Sequence, residues 1–189
     1  KDSIKQTYQL FHAGINTNKI KVGDKFTYNT GFDVYYLATK RKASEMELMW
    51  NGLGTLKIND TRSVSTEAMF SNANRVDSSS INRFLLMIKP SYKLVEEKWD
   101  LSIGATINYS TDTLKGSNGL HLYPAIHANY KWIPGKVLLF AGLGGGLDKV
   151  TYRSLVQVNP YLGSNVPLNY TNRKIDIYVG SEGNIQNSV

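Results

Sequence analysis

Apolar and polar side chains alternate along most of this chain, and the alternation is clearest in residues 99–110. There the odd-numbered positions are apolar or aromatic, and the even-numbered positions are polar or glycine. Successive side chains of a β-strand point to opposite faces of the sheet. The segment is therefore predicted to be a strand with one apolar face and one polar face.

The dimensions of this predicted strand are those of a membrane-spanning strand. It is long, since an ordinary strand has about five or six residues. Trp99 and Tyr109 begin and end its apolar face, ten residues apart. At about 3.3 Å per residue and a tilt near 40°, that distance projects to roughly 25 Å, the height of the apolar band on an outer-membrane barrel.

Eight other segments show the same alternation with varying strength, which predicts an all-β, antiparallel up-and-down sheet. The predicted strands are residues 8–18, 26–36, 46–58, 64–70, 84–94, 98–110, 122–132, 137–147 and 174–179. Because single-chain bacterial barrels usually have an even number of strands, nine strands suggest a fragment of a larger barrel or an error at residues 8–18. We expect residues 1–189 to be a single transmembrane β-barrel domain with about eight to ten strands, or a fragment of one.

The predicted connections alternate between short and long. The short ones are residues 22–24, 59–60, 96–97 and 134–135, and the long ones are residues 39–44, 71–80, 111–118 and 150–173. Such alternation is typical of outer-membrane barrels, which have short periplasmic turns and longer external loops. Trp99 and Trp132 both lie beside short connections, so we expect them at the same membrane interface.

Composition excludes several other classes of protein. No apolar run approaches the length of about 18 residues that a transmembrane helix needs, and mean hydropathy is −0.31. The chain has no cysteine, which excludes disulfides and thiolate metal sites. Its net charge of +7 comes from Lys and Arg spread along the whole chain, whereas a nucleic-acid interface needs them clustered. We therefore expect no nucleic-acid partner.

The alternation assigns side chains to three environments. The expected membrane-interface aromatics are Phe26, Tyr36, Tyr92, Trp99, Tyr109, Tyr130 and Trp132. The expected lipid-facing residues are Leu86, Ile88, Leu101, Ile103, Ile107, Ile126 and Leu139. The candidate lumen residues are Arg83, Lys89, Lys93, Asp100, Asn108, His121, His127 and Lys131. Since Glu45, Glu47 and Glu67 share the polar face, the lumen is expected to carry mixed charge.

No residue pattern indicates catalysis. His121 and His127 lie about 20 Å apart on an extended strand, too far for joint metal coordination. No serine and histidine are paired by the predicted topology as a hydrolase requires. The glycines of residues 142–146 lack the lysine and following helix of a phosphate loop, so they are interpreted as sites of curvature or close backbone approach. We expect no catalytic residue, metal or cofactor.

Several strands carry a resemblance to a known family. The stretches WDLSIGATINYSTDTL, LHLYPAIHANY, FAGLGGGLDKVTYRSL and NPYL are similar to the barrel part of TonB-dependent-receptor-like proteins. The similarity covers roughly residues 60–185. It implies an outer-membrane location and a role in transport or in an outer-membrane assembly.

We thus expect a non-catalytic β-barrel of a bacterial outer membrane: a pore, a receptor or part of a transport or assembly complex. Its expected partners are the lipid bilayer and other outer-membrane or periplasmic proteins; the substrate stays open. Residues 1–8 lack the apolar core of a signal peptide, so a mature or trimmed form is expected.

The alternative is a soluble β-sandwich or lipocalin-like binding module. A soluble fold would bury the large apolar side chains and expose the polar face, whereas a membrane barrel would do the reverse. The residues that separate the two are Trp99, Ile103, Tyr109 and Trp132 on one face, and Asp100, Thr106, Asn108 and His127 on the other.

Overall fold

A computed structural model describes residues 7–183 except Ile20, Val22, Arg41, Leu114 and Lys115. The described residues form nine strands and one short helix. The elements are β1 (Tyr8–Lys19), β2 (Phe26–Thr39), β3 (Ser44–Lys57), β4 (Arg62–Val76), β5 (Ser80–Val95), β6 (Trp99–Ser110), β7 (Gly119–Ile133), β8 (Val137–Asp148), α1 (Tyr152–Val158) and β9 (Thr171–Gly183). The sequence-based prediction of an all-β chain with a strand in residues 8–18 is confirmed.

The strands form one antiparallel sheet in simple up-and-down order from β1 to β9. Each strand is hydrogen-bonded to its neighbours in the chain, as the alternation predicted. Within the described residues β1 pairs only with β2, and β9 pairs only with β8. The sheet is therefore open, with β1 and β9 as its two edges.

The register aligns most apolar positions of neighbouring strands on one face. Ile88 is opposite Ile107, which is opposite Leu122. Farther along the same strands, Tyr92, Ile103 and Ile126 form a second such row. These side chains are not packed against another layer: Leu122, for example, keeps 71% of its surface exposed.

The opposite face is concave, and it holds the buried side chains. One cavity is lined by residues of every strand from β4 to β9, which shows that the sheet curls around that face. Residues 149–170, which connect β8 to β9, fold back onto the same face. There Tyr152, Val156 and Leu168 bury their side chains against Leu37 and Ala43.

The predicted loop lengths were wrong for two connections. Residues 71–80 were expected to form a loop because they are rich in Ser, Asn and Asp, but β4 continues to Val76 and β5 begins at Ser80. Ser71, Ala73 and Arg75 still alternate, and all three are buried on the concave face. The β2–β3 connection is similarly short, at residues 40–43, so short and long connections do not alternate strictly.

The predicted long polar segment at residues 150–173 contains an element that the alternation did not reveal. Thr151 caps α1: its side chain accepts from the N–H of Ser154, whose hydroxyl group accepts from the N–H of Thr151. A helix of seven residues makes about two turns, too few for a clear 3.6-residue period. Strand β9 then begins at Thr171, three residues earlier than predicted.

Candidate functional site

Residues 149–170, here called the inner segment, lie on the concave face and form the centre of the candidate site. Glu45 of β3 holds the start of α1: its two carboxylate oxygens accept from the N–H groups of Tyr152 and Arg153, each at 2.8 Å. These N–H groups have no partner inside the helix, and the helix dipole favours a negative charge there. The Glu45 carboxylate is completely covered by this contact.

Glu47 lies two residues along β3 and is also completely buried. It forms ion pairs with Lys149 and with Arg153, the latter at 2.7 Å, and accepts from the hydroxyl of Ser71 at 2.9 Å. Arg153 also stacks over the ring of Tyr35, 3.8 Å from its centroid. Both cations of the inner segment, Lys149 and Arg153, thus form ion pairs with the same carboxylate of the sheet, Glu47.

Arg75 of β4 binds the far part of the inner segment. Its guanidinium donates to the carbonyl oxygens of Ser164 and Val166, and it lies 4.8 Å from the centroid of the Tyr152 ring. Asp77, in the β4–β5 turn, forms an ion pair with Arg75. The pKa of Asp77 is lowered, because the N–H of Ser79 and the Arg75 guanidinium outweigh the effect of burial, which alone would raise it.

We expect D77N to make the protein less stable by about 1 to 3 kcal/mol near neutral pH, as loss of a charged hydrogen-bonding partner does. Because folding lowers the pKa of Asp77, its contribution is complete above the ordinary value of 3.8 and is lost as pH falls through the lower, folded-state pKa. The difference between D77N and wild type should therefore shrink in acid. Urea unfolding at a series of pH values measures this, with D60N in the exposed β3–β4 turn as control; a constant difference down to pH 2 would contradict it.

A second set of contacts fixes the end of the inner segment. Asp112, in the β6–β7 connection, accepts from the N–H of Tyr170 at 2.6 Å and from the hydroxyl of Ser117 at 2.5 Å. The guanidinium of Arg83 lies 5.0 Å from the centroid of the Tyr170 ring. Burial raises the pKa of Tyr170 to about 12, although the nearby Arg83 charge opposes the shift. The inner segment is therefore bound to the concave side of the sheet at both of its ends.

Another part of the concave face, lined by strands β4 to β9, is a cavity of about 390 Å³ with mixed charge. Glu67 and Lys89 line it from β4 and β5, 3.9 Å apart. On the other side His127 is hydrogen-bonded to the hydroxyl of Tyr178 at 2.9 Å. Arg173 completes the lining and forms an ion pair with Asp176.

All eight candidate lumen residues lie on the concave face, in different settings. Arg83 and Asn108 are buried, and Lys89 and His127 line the cavity. Asp100 and Lys131 are 3.8 Å apart, His121 is hydrogen-bonded to the carbonyl oxygen of Asn118, and Lys93 is exposed. The sequence did not single out Arg75, Asp77 or Asp112, because nothing in a strand pattern shows which polar positions a distant segment will cover. The sequence signal that could have pointed to the inner segment was the pair of positive charges, Lys149 and Arg153, beside the Thr151 cap.

Two of the four glycines in residues 142–146 lie where β9 leaves little room for a side chain. A Cβ atom on Gly142 would lie 2.2 Å from the Tyr178 ring, and one on Gly145 would lie 2.9 Å from the carbonyl oxygens of Arg173 and Lys174. The register between β8 and β9 shifts at this point. Close approach of the β9 backbone accounts for Gly145, as the sequence predicted, whereas a Cβ atom on Gly144 would meet nothing within 4 Å.

The expected membrane-interface aromatics lie on the convex face. Trp99 packs against Tyr130 with ring centroids 4.4 Å apart. Six of the seven are exposed, and Tyr130 is partly covered by Trp99. Phe70 and Phe84, which were not among the predicted set, extend an aromatic row to Tyr109, with successive centroids 5.2 and 6.0 Å apart.

Trp50, near the middle of the convex face of β3, has its only polar group satisfied within the sheet. Its ring N–H donates to the hydroxyl of Thr30 at 2.8 Å, and that hydroxyl donates to the carbonyl oxygen of Asn51. An indole N–H without such a partner is costly in an apolar environment. The arrangement lets a tryptophan lie far from water.

Two features are absent from the described part of the chain. No three His, Asp or Glu side chains there converge in a way that could hold a metal ion. The helical residues described include no stretch long and apolar enough to cross a membrane. Compared with known proteins, the chain matches no protein-family model and no curated sequence.

Proposed function

We propose that this chain forms part of the wall of a β-barrel in a bacterial outer membrane and acts there without catalysis, as a pore, a receptor or part of a transport or assembly complex. The observation that carries the proposal is the inverted distribution of side chains. Trp99, Ile103, Tyr109 and Trp132 are exposed, whereas Thr106 and Asn108 are buried. Asp100 and His127, on the same polar face, are half-buried.

The size of the exposed apolar surface supports this proposal. Monomeric soluble proteins rarely expose contiguous apolar patches larger than a few hundred Å². Here large apolar side chains are exposed on every strand of the sheet except β8, and Ile177 and Val179 on β9 keep 74% and 84% of their surface exposed. Lipid tails are the partner that would cover such a face on all nine strands at once.

Strand length and polar satisfaction also fit a bilayer. The strands have 12 to 16 residues, and a tilted strand needs about 9 to 11 to cross the hydrocarbon core. The Trp50 N–H is satisfied by Thr30, as a group in hydrocarbon must be. The resemblance of residues 60–185 to TonB-dependent-receptor-like barrels supports the role in transport or assembly.

The three tryptophans allow a direct test, because all lie on the convex face. Trp50 is near mid-strand, and Trp99 and Trp132 lie beside the short turns. In variants that keep one tryptophan each, we expect deep bromine atoms on lipid chains to quench Trp50 most. Shallow bromine atoms should quench Trp99 and Trp132 most.

Quenching that is the same for deep and shallow bromine atoms in all three variants would overturn the proposal. So would a monodisperse preparation of the protein without detergent, since a second layer of the protein would then have to cover the convex face.

A further inference from the structure

The charges of the inner segment balance those of the sheet beneath it, which is here called the wall. The charge cluster consists of Glu45, Glu47, Arg75, Asp77, Arg83 and Asp112 on the wall, and Lys149 and Arg153 on the segment. The wall thus carries two more acids than bases. Lys149 and Arg153 of the segment neutralise that surplus, and both pair directly with Glu47. The N–H groups of Tyr152 and Arg153 satisfy the hydrogen bonding of Glu45.

Both polar and apolar contacts attach the inner segment to the sheet. The apolar contacts of the segment form two groups: Tyr152, Val156 and Leu168 lie against Leu37 and Ala43, and Tyr170 lies against Leu85 and Leu147. The remaining contacts are ion pairs and hydrogen bonds to Glu45, Glu47, Arg75 and Asp112. Water can replace such contacts, and the desolvation cost of a buried ion pair largely offsets its attraction. Side chains of Glu45, Arg75 and Asp112 thus bind the backbone of the segment, whereas the strands are held by ladders of backbone hydrogen bonds.

We propose that residues 149–170 form a displaceable plug at this end of the lumen, and that Glu45 and Glu47 select cations when the plug leaves. While it is seated, the plug covers both carboxylates and neutralises the wall. Once it is displaced, two unpaired carboxylates line the opening, and carboxylates at a constriction favour cations. This inference rests on the proposed function, since it needs a lumen that crosses a membrane.

Two pairs of substitutions separate release of the plug from selection of ions. K149Q/R153Q removes the plug's cations and leaves the wall acids, whereas E45Q/E47Q removes the acids. We expect both variants to raise single-channel conductance of the full-length protein severalfold over wild type in planar bilayers with KCl. Only K149Q/R153Q should prefer K⁺ over Cl⁻, as measured by the reversal potential in a KCl gradient. K98Q/K136Q, which removes two exposed cations from short turns, is the control and should match wild type.

A disulfide tests displacement within one molecule. The chain has no cysteine of its own, and Ala43 and Val156 belong to the same buried cluster. We expect A43C/V156C, added to K149Q/R153Q, to conduct like wild type when oxidised and like K149Q/R153Q when reduced.

Conductance that is the same in wild type and all variants, or cation preference that survives in E45Q/E47Q, would overturn the plug. If the single-tryptophan variants show no depth-dependent quenching, the proposed function fails and the plug fails with it. If quenching is seen but conductance never changes, the plug alone fails.

Discussion

Ile103→Arg will destabilise the protein in lipid by about 2 to 4 kcal/mol, the cost of an arginine near the bilayer midplane on a barrel surface. Ile103 lies near the middle of β6, on the convex face, with half of its surface exposed. A charged side chain there would have to leave water for hydrocarbon. The free energy of unfolding is measured by urea titration of protein refolded into vesicles.

Ser102→Arg is the matched control, because Ser102 is the neighbouring residue and lies on the concave face beside the cavity. It should change stability much less, since a charge on the polar concave face stays hydrated. If the protein were soluble, Ile103→Arg would instead be one more surface substitution, with an effect within about 0.5 kcal/mol. A small effect of Ile103→Arg together with a large effect of Ser102→Arg would reverse the assignment of the two faces.

Glu47→Gln will lower the free energy of unfolding by about 3 to 5 kcal/mol, the cost of removing one partner from a buried ion pair. Glutamine nearly preserves the volume of the side chain and can still accept from Ser71. It leaves Lys149 and Arg153 without a counter-charge next to a fully covered position. The loss is therefore electrostatic rather than a packing defect.

Glu67→Gln is the comparison for this second prediction. Glu67 pairs with Lys89 on the same concave face, but about half of its side chain is exposed and the two charged atoms are 3.9 Å apart. Exposed pairs contribute about 0 to 1 kcal/mol, so this variant should resemble wild type in the same urea titration. Equal losses in the two variants would show that burial by the inner segment does not matter to the Glu47 pair.

The strands and the two faces followed from the sequence because each depends on a local pattern. Residues 99–110 alternate so regularly that only one face of β6 can be apolar, and the register of Ile103 with Ile126 follows from placing apolar rows together. The same logic placed His127 and Asn108 on the concave face. Strand alternation involves only residues that are close together in the chain, so a single sequence is enough to reveal it.

The inner segment did not follow from the sequence, because it depends on long-range contacts. Glu45 and the backbone of Tyr152 are more than a hundred residues apart in the chain. A buried carboxylate in β3 looks the same in sequence as an exposed one. Likewise Ser71 and Arg75 resemble loop residues until the segment that covers them is known, so strand β4 was predicted to end too early.

The strictly alternating direction of the nine strands limits how this sheet could close into a cylinder. Strands β1 and β9 run the same way, so joining one edge to the other would produce a parallel ladder. A second copy in the same orientation would also form a parallel ladder wherever its edge strand meets the first copy, because its own β1 and β9 run in the same direction. Any all-antiparallel cylinder that includes this sheet must therefore bridge the gap with an odd number of additional strands.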